Sequence, residues 1–129
     1  MKKTLLILLA LALLLSGCAA PEQAAAYRQV SAAEAAKMME ETQDYILLDV
    51  RTQPEYAQAH IPGAICVPNE TIGSGDIPQL PRKDQLILVY CRSGNRSKQA
   101  SGKLAAMGYA NIVEFGGINA WRGETVSGE

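Results

Sequence analysis

Histidine and cysteine are both scarce in this chain of 129 residues, which has one histidine, His60, and three cysteines. The cysteines Cys18, Cys66 and Cys91 lie far apart in the sequence, and the acidic residues are scattered. Metal sites are recognised in sequences by closely spaced cysteine and histidine ligands, and no such spacing occurs here. The sequence therefore predicts neither a metal site nor a bound cofactor.

An excess of basic residues is also lacking, because 12 lysines and arginines stand against 13 acidic residues. If Lys2 and Lys3 are removed with a signal peptide, as argued below, 10 basic and 13 acidic side chains remain and the net charge is −3. Proteins that bind nucleic acid or an anionic membrane surface carry an excess of positive charge. This balance argues against both kinds of partner.

A hydrophobic run long enough to cross a bilayer is missing as well. The apolar run Leu5–Leu15 has eleven residues, whereas a spanning helix needs about 20. The run follows Lys2 and Lys3 and leads into Leu15-Ser16-Gly17-Cys18, which resembles the lipobox of bacterial lipoproteins. This resemblance implies a signal peptide over residues 1–17 and lipid attachment to Cys18. We therefore expect an exported protein, anchored by lipid on the periplasmic or extracellular face of a bacterial membrane.

The remainder of the chain is short and divides simply. Residues 18–29 include Pro21–Ala26, which has no apolar periodicity and is typical of a tether. Residues 30–129 are long enough for one small domain with a single modest core. We therefore predict one domain, held away from the lipid by a short spacer.

Within this domain, continuous apolar runs predict strands that are buried on both faces. The two strongest runs are 45–50 and 85–90, and shorter strands are predicted at 64–67 and 110–114. Ser31 and Glu34 fit a capping box before a helix over 32–41.

Further helical segments alternate with these strands. Short helices are predicted near 54–57 and 118–121, and a longer one over 95–107 that ends at Gly108. Residues 69–83 are predicted to be mostly loop, and Gly116-Gly117 a tight turn. Strands that alternate with helices indicate an α/β fold, with a mostly parallel sheet flanked by helices on both faces.

The most informative residue is Cys91, which follows the apolar run 85–90. Ligands of parallel α/β sheets bind beyond the carboxyl ends of the strands. After Cys91 comes a short loop with Gly94 that runs directly into a helix, and the free amides and dipole of a helix start stabilise an anion. Such a setting favours a reactive thiolate, and Arg92 and Arg96 add positive charge nearby. The same features leave two alternatives, an inert buried thiol or a loop that holds a phosphate.

The run Cys91-Arg92-Ser93-Gly94-Asn95-Arg96-Ser97 resembles the active-site loop of the rhodanese family. Four residues separate Cys91 from Arg96, as in rhodaneses, whereas the loops of protein tyrosine phosphatases have five. The resemblance extends over about residues 30–126, with one departure at Ala59, where the family usually has glycine. Its other motifs are Leu47-Leu48-Asp49-Val50-Arg51, Glu55-Tyr56, His60-Ile61-Pro62-Gly63-Ala64, and Gly116-Gly117 with Trp121.

The resemblance implies a three-layer rhodanese-like fold and a sulfurtransferase that carries sulfur as a persulfide on Cys91. It implies a small sulfur donor such as thiosulfate, a thiol or cyanide as acceptor, and two half-reactions with ping-pong kinetics. A membrane or periplasmic protein is a further possible partner. The persulfide anion would be held by the amides of the residues that follow the cysteine: Arg92, Ser93, Gly94, Asn95, Arg96 and Ser97. Arg92 would help to attract an anionic donor, while Arg96 would brace the loop.

Two other functions stay open at this stage. One is a non-catalytic rhodanese module that binds sulfur or a partner protein, and the other is a phosphatase or arsenate reductase. Sulfur uptake by Cys91 would support the sulfurtransferase, and turnover of an aryl phosphate would support the last alternative.

Four remaining residues have structural interpretations that we favour over catalytic ones. Asp49 and Arg51 are expected to form a pair that ties adjacent loops together, although they could shape the pocket. His60 is expected to fix the turn that precedes Ile61-Pro62-Gly63. Cys66 is expected to be a small buried strand residue, with a regulatory disulfide to Cys91 as the alternative.

Overall fold

The computed structural model describes residues 26–129. The predicted signal peptide over residues 1–17, the lipidation site Cys18 and most of the predicted tether over 18–29 lie outside the described residues. Within 26–129, no helix is both long enough and apolar enough to cross a membrane.

Among the described residues, five parallel strands form a single sheet in the order β1-β5-β4-β2-β3. The two longest central strands, β4 and β5, lie side by side, and β2 is the next strand outward from β4. The strands are β1 (Arg28–Gln29), β2 (Tyr45–Asp49), β3 (Ile65–Cys66), β4 (Leu86–Cys91) and β5 (Ile112–Gly117). This arrangement confirms the predicted α/β fold with a parallel sheet.

The described part of the chain also contains three α-helices and two short 3₁₀ turns. The helices are α1 (Ala32–Glu41), α2 (Gln53–Gln58) and α3 (Asn95–Ala106), and the 3₁₀ turns are Asn69–Thr71 and Ile118–Ala120. The predicted N-cap of α1 is confirmed, because the Ser31 hydroxyl accepts a hydrogen bond from the Glu34 amide at 3.1 Å. Gly108 follows α3 with φ +96°, the conformation expected of a glycine that ends a helix.

Two apolar clusters, one on each face of the sheet, make up the core. Alternate residues of the central strands point to opposite faces, so Leu48 and Val89 join the cluster under α3, while Leu47 and Leu88 join the cluster under α1. Ala100 and Leu104 of α3 and Ala35 of α1 are fully buried against these faces. The result is the predicted three-layer arrangement, in which both faces of β4 are covered and its carboxyl end is fixed between them.

Two local features differ from what the sequence patterns predict. Gly116-Gly117 is not a tight turn, because β5 continues through Gly117. The pairing changes from Val89 with Glu114 to Cys91 with Gly117, so β5 accommodates one extra residue in a bulge, and Gly116 there has φ +87°. The second is β1, a strand that no sequence pattern predicted, which pairs with β5 at Arg28–Gln29. Two residues are too short a run to show the alternation by which strands are recognised in a sequence.

Candidate active site

Cys91 is the last residue of β4, and its neighbours in space are the start of α3 and the bulge of β5. The residue is only 1% exposed. Gly94 caps α3 with φ +113°, a left-handed conformation that residues with side chains rarely adopt. This conformation turns the loop sharply enough for its amides to approach the sulfur, as the sequence led us to expect.

Gly94 and Ser97 form hydrogen bonds with the Cys91 sulfur. The Gly94 amide donates a hydrogen bond to Sγ at 3.0 Å, and the thiol donates one to the Ser97 hydroxyl oxygen at 3.4 Å. Burial raises the pKa of the thiol, but the Ser97 side chain and the backbone amides of Ser97, Gly94 and Ser93, which stabilise the thiolate, outweigh burial and lower the pKa of Cys91. The loop therefore favours the thiolate, which is the nucleophilic form of cysteine.

The loop residues differ in what they present to solvent. Arg92, Ser93 and Asn95 have exposed side chains, and Ser97 is fully buried. Only the backbone amides and the Ser97 hydroxyl are therefore directed at Cys91. The long side chain of Arg92 instead lies at the surface beside the loop.

Ser97 connects the cysteine to a buried acid that the sequence analysis did not single out. Its hydroxyl donates to Glu114 Oε1 at 2.6 Å, and the same oxygen accepts from the Gly116 amide at 2.8 Å. Glu114 is only 2% exposed. An acidic residue on the otherwise apolar strand 112–115 was the signal that could have identified it.

The second glycine of the Gly116-Gly117 pair is required by close packing. A Cβ atom on Gly117 would overlap the Arg92 carbonyl and the Ser93 amide, so β5 passes directly against the loop. The loop is also fixed by a hydrogen bond from the Asn119 amide to the Arg92 carbonyl at 3.2 Å. The end of β5 therefore forms one wall of the site.

Arg96 forms an ion pair with Glu55 of α2. Its two terminal nitrogens lie 2.7 and 2.9 Å from the two carboxylate oxygens. The Arg96 guanidinium lowers the pKa of Glu55 to about 2, helped by the Thr52 hydroxyl and opposed by partial burial. The first turn of α3 is thus held to the first turn of α2.

Asp49 and Arg51 form a second, fully buried pair at the end of β2. The Arg51 guanidinium contacts both carboxylate oxygens, with Nη2 2.6 Å from Oδ2, and the same nitrogen donates to the Ala59 carbonyl at 2.6 Å. Burial alone would lower the pKa of Arg51, but the hydrogen bonds to Asp49 raise it. The pair therefore connects β2 to the segment that follows α2.

His60 lies on that same segment. Its Nδ1 is 2.8 Å from the Tyr56 carbonyl, its ring stacks on the Tyr56 ring with centroids 3.7 Å apart, and its backbone pairs with Val126. These contacts fix the turn after α2. Tyr90 is fully buried, and the partly buried Trp121 packs against the cluster under α1.

Cys66 is a free, half-buried thiol on β3. It lies opposite Asp49 of β2, which lies opposite Tyr90 of β4, so two strand spacings separate it from β4. Two spacings amount to about 10 Å, which exceeds the roughly 7 Å between Cα atoms that a disulfide can bridge. A disulfide between Cys66 and Cys91 would therefore require movement of the backbone. Burial and Asp49 raise the pKa of Cys66 to about 11, so its thiol is mostly protonated at neutral pH.

A polar cavity of about 300 Å³ lies beside the loop. It is lined by Arg51, Glu55, Gln58, Arg92, Ile118 and Asn119. A larger cavity of about 440 Å³ lies near Tyr45, at the amino end of β2 and thus away from Cys91. We assign the smaller cavity to the site because ligands of parallel sheets bind at the carboxyl ends. Within residues 26–129, no cluster of three histidine, cysteine or acidic side chains could hold a metal ion.

Known proteins resemble the chain in both sequence and structure. It is 36% identical over 96 residues to a sulfurtransferase from Allochromatium vinosum, covering 72% of this chain and 86% of that one. It is 35% identical over 71 residues to the thiosulfate sulfurtransferase PspE from Escherichia coli, covering 55% of this chain and 68% of PspE.

The chain is also similar in structure to solved rhodanese domains. A rhodanese with anions from E. coli superposes with a TM-score of 0.60 at 32% identity, covering 65% of this chain and 99% of that one. A rhodanese-like domain from Anabaena gives a TM-score of 0.69 at 26% identity, covering 79% and 80%. The family profile of the rhodanese-like domain matches residues 31–124, so the chain belongs to the rhodanese-like family.

Proposed function

We propose that this protein is a sulfurtransferase that carries sulfur as a persulfide on Cys91. The observation that carries the proposal is the Gly94 amide, which donates to the Cys91 sulfur at 3.0 Å from a loop that lowers the pKa of the thiol. Relatives named as sulfurtransferases, at 35–36% identity, support the same chemistry.

In the first half-reaction, the Cys91 thiolate attacks the outer sulfur of a donor such as thiosulfate. A sulfur–sulfur bond forms to Cys91, and the bond between the two donor sulfurs breaks with its electron pair, so sulfite leaves. The charge of the thiolate is retained on the outer sulfur of the persulfide. The loop amides would stabilise this anion, as backbone amides stabilise an oxyanion in acyl transfer.

In the second half-reaction, an acceptor thiolate or cyanide attacks the outer sulfur of the persulfide. The bond to Cys91 breaks and the cysteine leaves as a thiolate, ready for another donor. Arg92, whose exposed side chain lines the cavity beside the loop, is the group that we assign to attracting anionic donors. Its charge lowers the free energy of an anion at the entrance.

Phosphate transfer is the less favourable alternative. Four residues separate Cys91 from Arg96, and both terminal nitrogens of Arg96 are occupied by Glu55. A guanidinium that recognises phosphate offers these two donors to the phosphate oxygens. Arg96 in its present position would first have to give up its ion pair.

We further propose that the protein works at a membrane. The support is the sequence Leu15-Ser16-Gly17-Cys18, which resembles a lipobox. Lipid on Cys18 would hold residues 30–129 at the periplasmic or extracellular face of a bacterial membrane. A membrane or periplasmic protein could then supply or receive the sulfur.

The decisive experiment is intact mass spectrometry after exposure to thiosulfate. Wild-type protein should gain one sulfur atom, located at Cys91 by peptide mapping, and cyanide should remove it. Cys91→Ser should gain none, whereas the matched variant Cys66→Ser should gain sulfur normally. Failure of wild type to take up sulfur would favour the non-catalytic module, and turnover of an aryl phosphate would favour a phosphatase.

A further inference from the structure

Glu114 is a buried acid that no cation balances within the described residues. It is 2% exposed, and among residues 26–129 it forms no salt bridge. Its Oε1 accepts one hydrogen bond from the Ser97 hydroxyl at 2.6 Å and one from the Gly116 amide at 2.8 Å. A length of 2.6 Å is typical of a hydroxyl that donates to a charged carboxylate.

The Ser97 hydroxyl has a single proton, and several acceptors surround it. Besides Glu114, the Gly94 carbonyl is 2.9 Å and the Gly116 carbonyl 3.2 Å from Ser97 Oγ. The Cys91 sulfur lies at 3.4 Å from the same oxygen. A hydroxyl donates only one hydrogen bond at a time, so Ser97 accepts from the thiol while it donates to Glu114.

This direction matters when Cys91 ionises. A thiolate has no proton to donate, so it is stabilised by Ser97 only if the hydroxyl turns its proton toward the sulfur. Glu114 then loses one of its two hydrogen-bond donors inside the protein, where an unsatisfied charge is expensive. The Cys91 thiolate and the Glu114 carboxylate therefore compete for the same proton.

Repulsion between the Glu114 carboxylate and the Cys91 thiolate also opposes ionisation of the thiol. Glu114 Oε1 lies 2.6 Å from Ser97 Oγ, which lies 3.4 Å from Cys91 Sγ. The carboxylate is thus at most about 6 Å from the sulfur, a distance at which two negative charges repel each other in a protein interior.

The charged side chains of neighbouring elements do not cancel this effect. On α3, Arg96 pairs with Glu55 and Lys103 contacts Asn69, while Lys98 is exposed. Arg92 in the loop is exposed, and Asp49 and Arg51 at the end of β2 satisfy each other. Two strands flank Glu114, and the residues opposite it on them are uncharged: Val89 on β4 and Gln29 on β1. The neighbouring Arg28 on β1 is exposed to solvent.

We propose that Glu114 is a positioning residue that holds the Ser97 proton away from Cys91 and so restrains ionisation of the empty thiol relative to the persulfide. In the persulfide, the charge lies on the outer sulfur, one bond of about 2 Å farther out. In the proposed persulfide, the loop amides would bind that atom, and it would not need the Ser97 proton. Glu114 therefore destabilises the Cys91 thiolate more than the persulfide anion, a consequence that rests on the proposed function, whereas its effect on the thiol does not.

The test measures the rate of Cys91 alkylation by iodoacetamide as a function of pH, in a background with Cys66→Ser. Glu114→Gln keeps the size of the side chain and removes its charge. We expect the midpoint of the Cys91 profile to fall by roughly one to two pH units, which is at least about a tenfold faster reaction below the midpoint. Glu40→Gln, an exposed exchange of the same kind on α1, should leave the profile unchanged.

Further measurements separate positioning from a purely structural role. In the Ser97→Ala background, Glu114→Gln should lower the midpoint by less, because the competition for the proton is gone and only the charge effect remains. The proposal would be overturned if the Glu114→Gln variant were as stable as wild type and its Cys91 alkylation midpoint were unchanged or higher.

If Glu114→Gln does not fold, the wild-type protein still provides a test. With ¹³C-labelled glutamate carboxyls, the Glu114 resonance should shift as pH passes through the Cys91 midpoint, and this shift should be absent in Cys91→Ala. A Glu114 resonance that ignores Cys91 ionisation would overturn the proposal. Because none of these readouts requires sulfur transfer, failure to form a persulfide would count against the proposed function alone.

Discussion

Arg96 at the start of α3 and Glu55 in α2 form a two-point ion pair, with nitrogen to oxygen distances of 2.7 and 2.9 Å. The two residues are 41 positions apart in the sequence, and their ion pair holds the loop that follows Cys91. Arg96 belongs to the loop that surrounds Cys91, and Glu55 also receives the Thr52 hydroxyl at 3.0 Å. Movement of α2 would therefore be transmitted to the helix start that faces the sulfur.

The stability contributed by this pair should depend on pH. The pKa of Glu55 falls in the folded protein from an ordinary value near 4.5 to about 2. A lowered pKa means that the stabilisation is present above pH 4.5 and disappears as pH falls toward 2. The side chains are about 30% exposed, so solvent screening reduces the contribution to about 1 kcal/mol.

Glu55→Gln should accordingly be less stable than wild type at pH 7, and the difference should vanish near pH 2. Urea unfolding at a series of pH values measures both quantities. Glu40→Gln, which removes an exposed acid from α1, is the control and should follow wild type throughout. If Glu55→Gln remained less stable than wild type by the same amount at low pH, loss of the ion pair could not be the cause.

Gly117 should tolerate no side chain, because a Cβ there would overlap the Arg92 carbonyl. Relieving that overlap must move either β5 or the loop, so Gly117→Ala should lower the free energy of unfolding by about 1–3 kcal/mol and abolish sulfur uptake. Gly102→Ala is the matched control in α3, where a Cβ meets nothing within 4 Å. It should raise stability by about 0.5–1 kcal/mol. Similar unfolding curves for the two variants would contradict this account.

Breaking the buried ion pair between Asp49 and Arg51 should reduce the stability of the fold far more than breaking an exposed ion pair. Asp49→Asn leaves the guanidinium buried without a counterion, which should cost about 3–5 kcal/mol. Glu41→Gln breaks the exposed pair with Lys37 on α1, whose side chains are 73% and 63% exposed, and should leave the melting temperature nearly unchanged. A mild effect of Asp49→Asn in thermal unfolding would show that water reaches Arg51.

The two thiols should differ in the pH at which they react. Hydrogen bonds to the loop lower the pKa of Cys91, whereas burial and Asp49 raise that of Cys66 to about 11. Alkylation of Cys91 should therefore reach its half-maximal rate at a lower pH than alkylation of Cys66, although Cys91 is the more buried residue. Mass spectrometry of the two peptides measures both profiles. The reverse order would mean that access, not ionisation, controls reactivity in this protein.

Much of the fold could be predicted because its signals are local. The continuous apolar runs of β2 and β4, the serine cap of α1 and the glycine that ends α3 each depend on neighbouring residues, and all are found where expected. The features that the sequence did not predict depend instead on contacts between distant residues. The bulge at Gly116 and the short strand β1 exist only through pairing with distant residues, which no local pattern reveals.

The sequence by itself determined that a cysteine stands between a buried strand and a glycine-led helix start, because strand, turn and helix are encoded by adjacent residues. Only the tertiary structure decided which distant groups complete that site. Folding brings Glu55 to Arg96, Gly117 against Arg92, and Glu114 to Ser97. Arg96 and Glu55 are 41 residues apart in the sequence, and Ser97 and Glu114 are 17 residues apart. Their partners are selected by the order and register of the strands, which depend on packing across the whole sheet.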